Sequence, residues 1–471
     1  MKYFRITTFV ILSVSLIFFV SCQPKEKDTK AKYVFLFIGD GMGISQVIVT
    51  EAFQTALAGG EYVPLGFRQF PGTGLSTTFA ANRYITGSAA AGTALATGNK
   101  TAIGRISMDT SGTVPFVTIA EKAWKKGMKV GIISSVSIDH ATPAVFYAHQ
   151  PKRDMYFEIG LDLAKSNVDF FGGGGFRHPE GEVDGKAVDV IGVAQQNGFQ
   201  YINSKEGFDA LTPSENKVLF VNPELTNGAA MYYAIDQPEE YITLADITGK
   251  AIQYLENENG FFMMVEGGKI DWLCHANDAG SMVYEVLDFS AAVDEAVKFY
   301  NKHPDETLIV VTADHETGGL GLGNNRMKYD SDYALLANQK ISGDEFNIVL
   351  SEWRKNNHLN NKGFKKMLKV TEEYFGLGGD GAPIELDDKE WETLNKAFIA
   401  YDLSQEGEYG KYSPLTYQST MVLAGRVGLG WTSQSHTGVD VPVFALGIGY
   451  ESFSVNLDNT DIPKLIWEII E

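Results

Sequence analysis

The sequence predicts a three-layer α/β sandwich: a central, mostly parallel sheet covered by helices, plus an inserted cap subdomain. Three observations predict it. Residues 33–38 (YVFLFI) form an unbroken apolar run that ends in Gly39-Asp40-Gly41-Met42-Gly43. A strand apolar on both faces suits the middle of a sheet covered on each side. Apolar strand-like runs then alternate with segments of helical period, the pattern of a helix-covered sheet. From 320 to 426 that alternation stops.

Taken in order, the first strand enters a tight turn at its glycines. Residues 117–124 have helical character, Gly127 breaks it, and 129–134 return as a strand. Leu244, Ile247, Ala251 and Leu255 recur at helical spacing ahead of the strand-like run 261–265. Val283, Val286, Leu287, Val293 and Val297 mark another helix, leading to a strand over 307–312. Residues 320–426 are rich in Asn, Lys and Glu, mostly helical in pattern, and lack the buried-strand signal. They read as the cap, inserted into a main domain formed by 33–319 and 427–471. A strand over 441–446 restores the α/β character.

The N-terminus reads as an export signal. Lys2 and Arg5 precede a mostly apolar run, 8–20, and then Ser21-Cys22. That ending resembles a bacterial lipoprotein processing site, with Phe19 where Leu is usual. Residues 1–21 would be removed, Cys22 would carry the lipid, and 22–32 would form a hydrophilic tether. The expected location is the periplasmic side of the bacterial envelope, held by the lipid anchor. The apolar run falls short of the roughly 20 residues a spanning helix needs. Cys274 is the only other cysteine, so no intrachain disulfide is expected in the mature chain.

The net charge of −20 disfavours nucleic acid as a partner. It also repels a phosphate-bearing substrate, so a phosphate site needs concentrated positive charge of its own, which bound metal ions supply.

Residue types suited to metal ligation follow the expected strands: Asp40, Glu266, and Asp314 with His315. In open α/β sheets, sites gather beyond the carboxyl ends of strands. Asp271 and His275 are four apart, one face of a helix, and suit a shared metal. Cys274 between them points elsewhere and reads as packing. Ser88 opens the small-residue run Thr86-Gly87-Ser88-Ala89-Ala90-Ala91-Gly92-Thr93-Ala94. It reads either as a helix cap or as a nucleophile acidified by a metal and the helix dipole. His149, His178, His303 and His358 read as surface or satisfied core residues.

Six stretches, in chain order, resemble the signatures of the alkaline phosphatase family. They are Ile38-Gly39-Asp40-Gly41-Met42-Gly43, Gly87-Ser88-Ala89, His140-Ala141-Thr142-Pro143-Ala144, Val265-Glu266-Gly267-Gly268 with Ile270-Asp271, Thr312-Ala313-Asp314-His315, and His436-Thr437-Gly438. The resemblance spans 33 to about 446. It implies one zinc held by Asp271, His275 and His436, and a second held by Asp314, His315 and Asp40. It implies a third metal, usually magnesium and replaceable by a third zinc, near Asp40, Thr142 and Glu266. Arg153, eleven residues after Thr142, matches the arginine that grips phosphate with its planar fork. The implied reaction is hydrolysis of small phosphate monoesters through a phosphoserine at Ser88, and a homodimer is usual.

Three positions depart from the best-known bacterial pattern. Gly87 stands where Asp is usual, His140 where some members have Asp, and Trp272 where others have Lys or His. The last two adjoin the third-metal neighbourhood. A phosphodiesterase or related superfamily hydrolase is the alternative activity; Thr142 and Glu266 favour monoesters. A non-catalytic phosphate-binding lipoprotein is the alternative class.

Overall fold

In this computed structural model, residues 30–400 and 412–471 are described. The export signal, Cys22 and tether residues 22–29 lie outside them. Tyr33–Gly39 (β1) is buried along its whole length, as an all-apolar strand requires. Nine more strands join it: β2 (Gly72–Thr77), β3 (Lys129–Ser134), β4 (Phe170–Gly173), β5 (Phe199–Ile202), β6 (Lys217–Val221), β7 (Phe261–Gly267), β8 (Thr307–Thr312), β9 (Val441–Gly447) and β10 (Asn456–Asp458). Their order across the sheet is β10-β2-β9-β8-β1-β7-β3-β4-β6-β5. Every neighbouring pair is parallel except those of β9 with β8 and β2.

Alternate residues of the central strands feed two separate cores. Phe35, Phe37, Met263, Val265, Ile309 and Val311 pack with the helices Ile44–Leu57, Leu244–Leu255 and Ala279–Tyr300 on one face. Val34, Leu36, Ile38, Phe262, Met264 and Val310 face the other way, toward Ile119–Lys125, Tyr156–Lys165 and Asp461–Ile470. The sheet is therefore the middle of three layers, as the sequence predicts. The helix expected over 117–124 starts at Ile119, because Thr118 caps it. The Thr118 hydroxyl accepts from Glu121 N–H, and the Glu121 carboxylate accepts from Thr118 N–H.

Residues 320–426 leave and rejoin the sheet domain through a two-stranded neck, Leu320–Leu322 against Leu429–Trp431. Among the described residues, four α-helices follow one another there: Gly343–Arg354, Asn361–Phe375, Asp388–Ile399 and Pro414–Val427. Phe346, Leu350, Phe364 and Phe398 extend the first core without a break. A buried carboxylate ties this region to the sheet domain. Asp278 caps Ala279–Tyr300 and accepts from Ser281 N–H, Gln339 Nε2 (2.9 Å), Gly343 N–H (3.2 Å) and Tyr412 O–H (2.8 Å). Asp278→Ala orphans several buried donors at about 1–3 kcal/mol each. It is expected to lower unfolding free energy by about 3 kcal/mol or more, read from the urea midpoint; an unchanged midpoint would show that water replaces the carboxylate.

Candidate metal centre and nucleophile

Strand register puts the acidic residues at one edge. Ile38 lies opposite both Thr312 and Glu266, and Ser134 also lies opposite Glu266. Asp40, Glu266 and Asp314 consequently emerge side by side at the carboxyl ends of β1, β7 and β8. The turn after β1 needs glycine: Gly41 has φ +71°, and a Cβ there would sit 2.9 Å from the Asp271 backbone. Gly41 N–H instead donates to Asp314 Oδ1 at 3.2 Å.

Asp271 and His275 lie on the helix Lys269–His275, with Oδ2 and Nε2 3.3 Å apart. His436 arrives from the far end of the chain, its Nε2 3.1 Å from His275 Nε2 and 3.6 Å from Asp271 Oδ1. His315 stacks on His436 at 3.6 Å between ring centres. Its Nε2 faces Asp314 Oδ2 (3.2 Å) and Asp40 Oδ1 (3.5 Å). Thr142 donates to Asp40 Oδ2 at 3.3 Å. Three groups of side chains can each hold a cation: Asp271, His315 and His436; Asp40, Asp314 and His315; and Asp40, His140 and Glu266. His275 borders the first of these. Cys274 is buried outside them, against Gln46.

The donors are of the kind zinc and magnesium take, and they are short of partners. Asp40 Oδ1, Glu266 Oε1 and Asp314 Oδ2 are buried with no hydrogen bond. Burial pushes the Asp40 carboxyl well up, with Asp314, Asp271 and Glu266 adding to it. Burial likewise pushes Glu266 to about 8 and Asp314 to about 7, each raised further by a neighbouring carboxylate. Asp271 goes the other way: burial raises it, but the charge of His275 outweighs that and holds it below the usual carboxylate range. Burial opposes charge on His275, yet Asp271 lifts it to about 9. His275 Nε2 thus faces both Asp271 Oδ2 and His436 Nε2. So many buried acids beside three imidazoles fit divalent cations.

Polar neighbours orient these side chains, and the motifs did not reveal them. His275 Nδ1 donates to the Gln434 carbonyl (2.7 Å) and His436 Nδ1 to the Thr86 carbonyl (2.9 Å), leaving each Nε2 turned inward. Thr317 donates to Asp271 Oδ1 at 2.5 Å and lies 3.3 Å from His315 Nδ1. Ser134 hydrogen-bonds Glu266. A hydroxyl just past Asp314-His315, or at the end of β3, carries no sequence signal of its own.

Ser88 is the first residue of the wholly buried helix Ser88–Thr97. Gly87 occupies the cap position, and no side chain caps the helix. The capping role weighed for Ser88 is therefore absent. Its Oγ instead lies 3.3 Å from His315 Nε2, at the edge of the acid–histidine cluster. Arg153 Nη2 lies 3.1 Å from His140 Nε2, and its charge acts on Asp40, His315 and His436. The His140 and Trp272 rings meet edge-on at 6.2 Å. Of the four other histidines, His149 pairs with Glu121 and His303 with Glu256 and Glu306, apart from the cluster. His178 lies beside the Tyr156 ring.

A family model described as alkaline phosphatase matches residues 31–471. Alkaline phosphatase 3 of Bacillus subtilis (strain 168) is 30% identical, the match covering 96% of this chain and 92% of that protein. The crystal structure of a cold-active alkaline phosphatase from the psychrophile Shewanella sp. superposes with a TM-score of 0.78 at 29% identity, covering 93% of this chain and all of that one. A mutant of the TAB5 alkaline phosphatase with Mg bound in its M3 site has a TM-score of 0.64 at 26% identity, covering 94% and 98%.

Proposed function

Since this chain belongs to the alkaline phosphatase family and is a phosphoric monoester hydrolase, we propose that it works through a phosphoserine at Ser88 beside two zinc ions and one magnesium. The observation that carries this reading is the Ser88 hydroxyl set against His315 where Asp40, Asp271, Asp314, His275 and His436 converge. Asp271, His275 and His436 would hold one zinc, and Asp40, Asp314 and His315 the other. Asp40, Thr142 and Glu266 would hold magnesium, which the magnesium-bearing TAB5 relative supports; a third zinc is the alternative occupant. When bound, the metals supply Lewis acidity that favours the ionised hydroxyl and offsets charge on the departing alcohol oxygen.

Ser88 Oγ, at a helix N-terminus, attacks phosphorus. The Oγ–P bond forms as the ester P–O bond breaks, the alcohol leaves, and water then releases phosphate from the serine. Arg153 binds two non-bridging oxygens and holds the phosphoryl group in line. Hydrolysis of an aryl phosphate monoester compared with its diester tests the reaction class. Faster diester turnover would transfer the chain to the phosphodiesterase reading.

Gly87 leaves open space beside the nucleophile: a Cβ there meets nothing within 4 Å. Gly87→Asp is expected to tighten competitive inhibition by inorganic phosphate several-fold, because a carboxylate there can brace Arg153. Inhibition in the variant no tighter than in the wild type would count against this.

The exported, lipid-anchored state is also proposed, from Lys2, Arg5, the apolar 8–20 run and Cys22. Labelled fatty acid should enter the wild type and not Cys22→Ala. A homodimer is proposed on family grounds, with light scattering of the purified chain as its test. Among the described residues, no helix is long and apolar enough to cross a membrane.

A further inference from the structure

With glycine at position 87, no side chain there can hold Arg153. Its guanidinium meets His140 instead. Arg153 Nη2 lies 3.1 Å from His140 Nε2. A guanidinium has donors only, so Nε2 is the acceptor and the imidazole proton sits on Nδ1. The ring is 2% exposed.

The same ring stands with Asp40 and Glu266 in a group able to hold a cation. The two duties exclude each other. A metal on Nε2 takes the lone pair that accepts from Arg153. A metal on Nδ1 drives the proton to Nε2, where it faces an N–H of Arg153. Thr142 and Glu266 add oxygen donors beside Asp40, and an oxygen-only set is what magnesium takes.

We propose that His140 is the positioning residue of Arg153, standing in for the carboxylate missing at position 87, and that Asp40, Thr142 and Glu266 hold the third cation without it. This rests on Arg153 being the group that binds phosphate. A corollary is that third-site zinc, by drawing on His140, would loosen the grip on phosphate.

The test is a double-mutant cycle on the metal-loaded enzyme, read as the dissociation constant of inorganic phosphate, with bound zinc and magnesium per chain measured in parallel. His140→Ala is expected to weaken phosphate binding roughly tenfold in the wild type and less than about twofold in an Arg153→Ala background. His140→Gln, whose amide oxygen can accept from Arg153, should keep most of the affinity. Gly87→Asp should restore it in His140→Ala. Magnesium content should be unchanged throughout. Equal losses in both backgrounds, or loss of the third cation with His140→Ala, would overturn the proposal while leaving Arg153 its role. If Arg153→Ala itself left phosphate binding intact, the functional assignment of Arg153 would fall first.

Discussion

Ser88→Ala is expected to lower kcat for an aryl phosphate monoester by a factor on the order of 10³ or more, with metal content and thermal midpoint unchanged. The substitution is a clean probe for a structural reason. Ser88 is buried, caps nothing, and its Oγ has His315 as its hydrogen-bonding neighbour. Removing the oxygen therefore costs the fold little and deletes only the attacking atom. Acid quenching during turnover should trap labelled phosphate on the Ser88 peptide of the wild type and none on the variant. The residual rate of the variant would measure what Arg153 and the metals do without a covalent step. A variant that retained more than about a tenth of wild-type kcat would place the attack elsewhere.

Metal removal carries the second large effect, and it has a pH signature. In the metal-free fold, burial and mutual repulsion raise Asp314 from 3.8 to about 7 and Glu266 from 4.5 to about 8, and raise Asp40 well above its ordinary range. Groups whose folded values are raised stabilise the fold below their unfolded values, and that contribution is lost as pH rises through the folded ones. His275, raised from 6.5 to about 9, has the same sign over its own range. Asp271, held low, loses its contribution only as the solution turns acid. His140, His315 and His436 are held low and add stability as pH rises only up to about 6.5. Chelated protein is thus expected to lose stability from about pH 6.5 to pH 9, on the order of 1 kcal/mol per pH unit for each titrating group. Metal-loaded protein should show a much flatter profile, because bound cations replace the protons. Activity should vanish on chelation and return with zinc. Equal thermal midpoints at pH 8 with and without chelator would contradict this account.

Much of this was legible in the sequence where one signal dominated. Strands β1, β7, β8 and β9 are apolar on both faces, and such runs stand out without their neighbours. Two inner strands were not legible. Gly72–Thr77 is polar and glycine-bearing, and Phe170–Gly173 is four residues ending in two glycines, so neither carries an apolar period. Both exist because a partner strand pairs with them. The acid–histidine cluster was readable as motifs, and the register of β1, β7 and β8 brings its parts together. The hydroxyl and carbonyl groups that orient the ligands, Thr317, Ser134, Thr86 and Gln434, were not readable. Their roles come from where the folded chain places them.

Anomalous X-ray diffraction from crystals of the zinc-loaded enzyme tests the central claim most directly. Two strong zinc peaks are expected beside the Ser88 hydroxyl, one bounded by Asp271, His275 and His436 and the other by Asp40, Asp314 and His315. Zinc bound anywhere else, with those six side chains holding no ion, would contradict it.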